Sequence, residues 1–354
     1  MQLSILLPTN RHGPVAISRI AQVCSWASPN IEVIVRDNSG NAEKRALIAH
    51  FRNDYCRIAS VDPCEPLENY SEILKSATGD FIFCFADDDQ CFDHAIAALP
   101  GLIDLHGKEP NVAGFTGTYA LETTQGTSLA NYKDLDSDDA GARVAGFLSY
   151  PGPNMLFYSV IRRSVAERMA RFLKTLPIFL SFHDQTLCLL HLLNGKLIRM
   201  PRLFYVYDLG VWEVIESGQK RDADYYRAAG LDLAMNKLHW LICGFEGAVL
   251  VMNSDLFPDL PSPRRQQIAD IWFSVMFARF KRDARMTFNS ELTDDVERAC
   301  EKLRGATGQL TFERVLAETS ALLALSSPDR ARAYFSFWSE MMTRRQQRLR
   351  KTGS

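Results

Sequence analysis

The run Phe81-Ile82-Phe83-Cys84-Phe85-Ala86-Asp87-Asp88-Asp89-Gln90 delivers three consecutive carboxylates at the end of an apolar, β-rich segment. In an open α/β sheet, ligands bind outside the carboxyl ends of the strands. Hard divalent cations such as Mg2+ and Mn2+ take oxygen ligands, and clustered carboxylates supply them. A cation held there can bridge a diphosphate and stabilise it as a leaving group. Three adjacent like charges repel one another, a cost that a turn by itself does not require. The competing reading is a polar turn leading into a helix at His94, with Asp93 as its N-cap.

Two earlier segments end in the same way. Glu32-Val33-Ile34-Val35 runs into Arg36-Asp37-Asn38-Ser39-Gly40, and the opening Leu3–Leu7 runs into Pro8-Thr9-Asn10-Arg11. Asp and Asn are ordinary turn formers, so each segment reads equally as structure. The chemical alternative is that Asp37 accepts a hydrogen bond from a base N–H while Pro8, Thr9 and Arg11 line a nucleotide.

The elements that would position these residues alternate β-rich runs with helical patterns up to about residue 208. That is the signature of a mostly parallel α/β sheet flanked by helices. Strands are expected at Leu3–Leu7, Glu32–Val35, Arg57–Val61, Phe81–Phe85, Val112–Thr116, Met155–Ile161 and Phe204–Tyr207. Helices are expected at Val15–Trp26, Ala42–Phe51, Leu67–Ala77, His94–Leu105, Val165–Leu173 and Gln185–Asn194. Glu122–Asp139 lacks periodicity and reads as a loop over a site. Beyond about residue 209 helices dominate: Asp222–Asn253 with a break near Gly244–Gly247, then Gln266–Lys281, then Asp329–Arg350. The expected division is therefore 1–215, an α/β domain, and 216–354, a C-terminal α-helical extension.

Composition narrows the class. With 47% hydrophobic and 23% charged residues the chain is an ordinary globular protein. Its net charge of −2 gives no global basic field, so nucleic acid is not an expected partner. The eight cysteines form no CxxC pair or zinc-like cluster, which suits a reducing, cytoplasmic setting. The start MQLSILLPTNR lacks the features of a signal peptide. No apolar run approaches the roughly 20 residues a spanning helix needs.

Taken together, SILLPTNR, EVIVRDNSGN and ENYSEILKSATGDFIFCFADDDQ resemble successive motifs of family 2 glycosyltransferases of the GT-A fold. The likeness spans about residues 1–215 and is strongest over 1–100. It implies an inverting, metal-dependent transfer of a sugar from a nucleoside-diphosphate sugar, uridine-linked, to a hydroxyl of a saccharide or lipid-linked saccharide. In that family the first turn and the residue matching Asp37 cradle the nucleoside. The acidic run is the DxD motif, with Asp87 and Asp88 toward the donor and Asp89, helped by Asp87, toward Mn2+ or Mg2+. An acidic pair further on, at a helix start, supplies the general base. Here that place reads Phe182-His183-Asp184-Gln185, which makes Asp184 the base. Its competing role is that of an N-cap for the helix to Asn194. Tyr150-Pro151-Gly152-Pro153-Asn154 resembles the turn flooring the donor sugar, which would bring in Gly152 and Asn154; the alternative is a plain Pro-Gly turn.

The match has three departures. Arg36 stands where many relatives carry an acidic residue, His183 replaces the usual Glu beside the base, and no His follows the last core strand. Asp208 is the candidate substitute there. Arg162 and Arg163 either face phosphate or form a solvated pair. Two rival readings remain, a sugar-nucleotide nucleotidyltransferase and a non-catalytic nucleotide-sugar-binding scaffold. The single glycine in Pro8-Thr9-Asn10-Arg11-His12-Gly13 argues against the first, and retention of Asp184 with the acidic run against the second. The last helix carries Tyr334, Phe335, Phe337, Trp338, Met341 and Met342 before RRQQRLRK. It either packs in the core with a solvated basic end or docks on an anionic membrane surface. The helical region is also a candidate subunit contact in a homo-oligomer.

Overall fold

The structure is a computed structural model. It describes residues 1–130, 132–150, 154–208, 223–253, 256–257, 260–282, 290–306 and 310–352. The chain forms two compact units, Met1–Lys174 with Leu190–Glu213, and Thr175–Leu189 with Val214–Ser354. The segment 175–189 thus belongs with the C-terminal unit, a long-range grouping that the expected boundary at 215/216 did not include.

The first unit is built on one sheet. Its strands are β1 Leu3–Thr9, β2 Ile31–Asp37, β3 Cys56–Ser60, β4 Phe81–Cys84, β5 Gln90–Cys91, β6 Val112–Thr123, β7 Gly126–Ala130, β8 Val160–Arg162 and β9 Lys196–Asp208. The order is β3-β2-β1-β4-β8-β6-β9-β5, with β7 added to β6. The half β3-β2-β1-β4 is wholly parallel. Leu3, Ile5, Leu6, Leu7, Val33, Val35, Phe81 and Phe83 are buried there, the near-continuous apolar runs that a sheet covered on both faces demands. The other half mixes directions: β8 is antiparallel to β4 and β6, whereas β6 and β9 run parallel through three register shifts.

Register decides what meets at the sheet edge. Thr9 lies opposite Asp37 at the carboxyl ends of β1 and β2. The acidic run leaves β4 on that same edge, because β4 is parallel to β1 with Cys84 opposite Leu6. Short β5 then pairs Cys91 with Tyr205, which brings the end of β9 alongside the acidic run. The helices α1 Pro14–Ser25, α2 Ala42–Ile48, α3 Pro66–Ser76, α4 Asp93–His106, α5 Ala140–Leu148 and α6 Arg163–Leu173 complete this unit, and α7 His183–Leu193 spans the division at 189/190.

Several expectations are corrected. Glu122–Asp139 is not a featureless loop: it contains the end of β6 and the strand β7, turned by Gly126 at φ 130°. Residues 126–129 are exposed, so the hairpin carries no apolar alternation to reveal it. Met155–Ile161 is not one strand but a 3-10 turn at Met155–Tyr158 followed by β8. Asp93 opens helix α4 rather than capping it, and its carboxylate accepts from the Trp26 indole N–H at 2.7 Å.

The second unit includes the helices α8 His239–Asn253, α9 Ser262–Arg282, α10 Thr293–Arg304, α11 Phe312–Ser326 and α12 Pro328–Thr352. The break expected near Gly244–Gly247 is absent, since α8 runs through both. These glycines allow close helix contact: a Cβ on Gly244 would lie 2.9 Å from the Met276 Cβ, and one on Gly247 would overlap the Trp272 indole. The chain bends earlier, at Gly230 with φ 70°. In α12 Tyr334 and Trp338 are buried, so core packing accounts for those two aromatics. Among the described residues no helix is long and apolar enough to cross a membrane.

Candidate functional site

The carboxyl edge of the parallel strands carries a chain of charged hydrogen bonds. Asp37, at the end of β2, is 1% exposed, and its Oδ1 accepts from Lys44 Nζ at 2.7 Å and from the Ser39 N–H at 3.2 Å. Lys44 comes from α2, whose N-terminus Asn41 caps by accepting the Lys44 N–H at 2.8 Å. Gly40, at φ 67°, makes the turn that points α2 back over the strand ends. At 1% exposure the Lys44 ammonium is tolerable only because it is paired. It also donates to Thr9 Oγ1 at 2.8 Å. The Thr9 hydroxyl in turn donates to Asp87 Oδ2. The other Asp87 oxygen receives the Arg11 guanidinium, which forks to Asp88 Oδ2 at 2.7 Å.

Asp89 has different partners. Its Oδ2 accepts from the Tyr205 hydroxyl at 2.7 Å and its Oδ1 from the Asp208 N–H at 3.2 Å. Burial and the neighbouring Asp88 charge push its pKa up to about 7, against the lowering effect of those two hydrogen bonds. The Tyr205 phenol is raised well above its ordinary value by burial and then by Asp89. Tyr158 stacks on Tyr205 at 4.5 Å and 16°, and Tyr207 lies 5.8 Å from Tyr158, forming an aromatic wall beside the carboxylates.

Aspartate oxygens are the donors a hard divalent cation takes, so the chemistry of this cluster fits Mg2+ or Mn2+. Among the described residues, however, no three His, Cys, Asp or Glu side chains converge as a metal-holding group. In this arrangement Arg11 pairs with Asp87 and Asp88, and Asp89 accepts from the Tyr205 hydroxyl.

The sequence-derived residues are thus partly assembled. Thr9, Arg11, Asp37, Asp87 and Asp88 form one connected network, and Asp89 joins Asp208 through the latter's backbone. Pro8 lies within β1 opposite Arg36. Asn154 is 7% exposed, and its side-chain nitrogen and oxygen have no hydrogen-bond partner among the described residues. Gly152 lies outside the described residues. Arg162 bonds the carbonyls of Gly107, Glu109 and Val112, and Arg163 bonds the carbonyl of Gly79 and the Glu167 carboxylate.

His183 and Asp184 belong to the second unit. Helix α7 starts at His183, so Asp184 sits in its first turn and is not its N-cap. The carboxylate is half-buried, with Oδ1 accepting the Gln185 N–H at 2.5 Å. His183 is sealed: Nε2 donates to Glu246 Oε2 at 3.1 Å, Nδ1 lies 2.9 Å from both the N–H and the carbonyl of Leu180, and Phe179 and Phe182 stack on the ring. Both His183 and Glu246 are at most 2% exposed.

Sequence reasoning missed Lys44, Tyr205 and Glu246. A lysine in a short polar helix, a tyrosine in a strand and a glutamate in an apolar helix each read as ordinary residues. The one available signal was Glu246 itself, a lone charge amid Leu241–Met252.

No protein-family model matches the chain, and no curated protein sequence does. Solved structures do. TarS 1–349 from S. aureus in complex with UDP aligns over 98% of this chain and 92% of its own, at TM-score 0.53 and 14% identity. Its complex with UDP-GlcNAc aligns over the same shares at TM-score 0.52 and 14% identity. The chain spans 55% of the longer TarS structure. The mannosyltransferase PcManGT from Pyrobaculum calidifontis, in complex with GDP-Man and Mn2+, overlaps at TM-score 0.47 and 14% identity, covering 98% and 87%, too distant a likeness to carry an inference. At these identities TarS establishes the fold: an α/β sheet flanked by helices, with a C-terminal helical region, of the GT-A kind that the sequence motifs implied.

Proposed function

We propose that the chain is a glycosyltransferase that moves a sugar from a uridine diphosphate sugar to an acceptor hydroxyl. One observation carries this reading. The network Asp37–Lys44–Thr9–Asp87–Arg11 lines the carboxyl edge of parallel strands, in a fold shared with a protein solved with UDP-GlcNAc. Thr9 and Asp37 hold the nucleoside. Lys44 holds the Asp37 carboxylate in place, oriented to accept from a base N–H. Arg11 offers a planar fork of donors, the shape that matches phosphate oxygens. Asp89 and Asp87 would hold Mn2+ or Mg2+, which when bound neutralises charge developing on the departing diphosphate.

Asp184 is the general base. Removing the acceptor proton during attack requires one carboxylate within hydrogen-bond reach of the hydroxyl. A carboxylate that is only half-buried, in the first turn of α7, supports that assignment. Attack assisted by a base on the face opposite the leaving group inverts the anomeric carbon, and the product's anomeric configuration tests this directly.

The reading as a whole is tested by thermal denaturation with UDP, UDP-GlcNAc, GDP and GDP-mannose, each with and without Mn2+. Binding to the folded state raises the melting temperature by mass action. A rise with the uridine ligands, larger with Mn2+, is expected. No shift with any of the four would overturn the proposal. Binding without release of UDP, across a panel of saccharide acceptors, would make the chain a nucleotide-sugar-binding protein instead.

A further inference from the structure

We infer that Arg11 is an exchangeable internal cation: it neutralises Asp87 and Asp88 until a divalent metal, held by Asp87 and Asp89, and a diphosphate arrive together, when the metal takes over the charge of Asp87 and the guanidinium passes to the phosphate. This rests on the reading that the strand edge receives a nucleoside diphosphate with its cation.

Two cationic side chains serve this edge, and they differ in freedom. Lys44 is 1% exposed, held by both Asp37 and Thr9, and has nowhere else to go. Arg11 is 43% exposed and leaves from a turn beyond the end of β1. Its carboxylate partner Asp87 is only 2% exposed and is fixed by Thr9, so if the pair opens, Arg11 is the member that moves.

Charge sets the order of events. A guanidinium forked between Asp87 and Asp88 stands among the oxygens that a divalent cation needs, and two like charges at that separation repel. Metal entering alone leaves Arg11 without Asp87. A diphosphate entering alone meets Asp88 and an Arg11 already engaged. When both enter, the metal satisfies Asp87 and Asp89 while Arg11 gains a bidentate phosphate contact. Each ligand therefore removes the obstacle to the other, and by linkage each raises the other's affinity by the same factor.

The experiment measures Mn2+ binding through the electron paramagnetic resonance signal of the free ion, using the full chain with and without UDP. In the wild type, UDP is expected to tighten Mn2+ by about tenfold or more, within the usual range of coupling between sites. Arg11→Met keeps the length of the side chain and removes its charge. That variant should bind Mn2+ alone about tenfold more tightly than wild type, bind UDP more weakly, and show a UDP effect on Mn2+ of less than about threefold. Arg11→Lys, which retains the charge, should bind Mn2+ alone as weakly as wild type. Equal or weaker Mn2+ binding by Arg11→Met overturns the exchange and leaves the functional reading standing. Wild-type protein that binds neither Mn2+ nor UDP overturns both. Arg11 is half-exposed, so the variants are expected to melt within a few degrees of wild type, which the same samples verify.

Discussion

Two charged clusters of this molecule are built on opposite plans. At the sheet edge of the first unit, five side chains from three strand ends and one helix form an open relay whose last member, Arg11, is 43% exposed. In the second unit, His183 and Glu246 form a closed pair, stacked by two phenylalanines and sealed from water. An exposed partner can be exchanged for a ligand at little cost in stability. A sealed pair cannot, because removing either member leaves a charge or a polar group without solvent. The molecule thus keeps exchangeable charge at the strand edge and sealed charge where its own backbone is fixed. Asp184, next in sequence to the sealed His183, gains a fixed starting point from the second plan.

The comparison can be broken most severely at Asp184. Asp184→Asn should lower UDP release in the presence of acceptor by about 10²- to 10⁴-fold, the usual contribution of a positioned base, with UDP affinity unchanged. Unchanged turnover would remove chemistry from the second cluster. Next come the buried partners. Glu246→Ala and Lys44→Met should each cost about 3–5 kcal/mol in urea denaturation, whereas Arg11→Met should cost less than about 1 kcal/mol. Equal costs at Arg11 and Glu246 would erase the distinction between open and sealed. Gly247→Ala forces a methyl group into the Trp272 indole and should cost about 1–3 kcal/mol, testing whether α8 and α9 are as tightly apposed as Glu246 requires.

A second histidine on the same helix extends the contrast to a buried neutral ring. His191 is wholly buried, and burial pushes its pKa down to about 3. Its Nδ1 has no hydrogen-bond partner among the described residues. The folded protein keeps it neutral, while the unfolded chain takes up a proton near 6.5. The stabilisation is therefore complete above 6.5 and is lost as pH falls from there toward 3, by about 1.4 kcal/mol per pH unit. His191→Leu should remove that part of the acid sensitivity in urea titrations between pH 6.5 and 4.5. An identical pH slope in the variant would refute it.

Much of the sheet edge was legible because its parts are local. A β-rich run leading into Asp37, another leading into Thr9 and a third followed by Asp87–Asp89 each announce a strand and its exit, and parallel pairing then aligns those exits. The hairpin at β7 was not legible, because its solvated residues 126–129 carry no periodic apolar signal. Met155–Ile161 misled for the opposite reason: a short apolar run fits a strand or a tight turn equally well.

The sequence by itself determined the alternation of strands and helices, the acidic run at a strand exit and the apolar faces of the C-terminal helices, since each depends on neighbours within a few residues. Tertiary structure alone decided which partner each charge received. Lys44 reaches Thr9 across 35 positions, Tyr205 reaches Asp89 across 116, and His183 reaches Glu246 across 63. Hydrogen-bond energy depends on a few ångströms in space and is indifferent to separation along the chain, so these pairings exist only once the chain has folded.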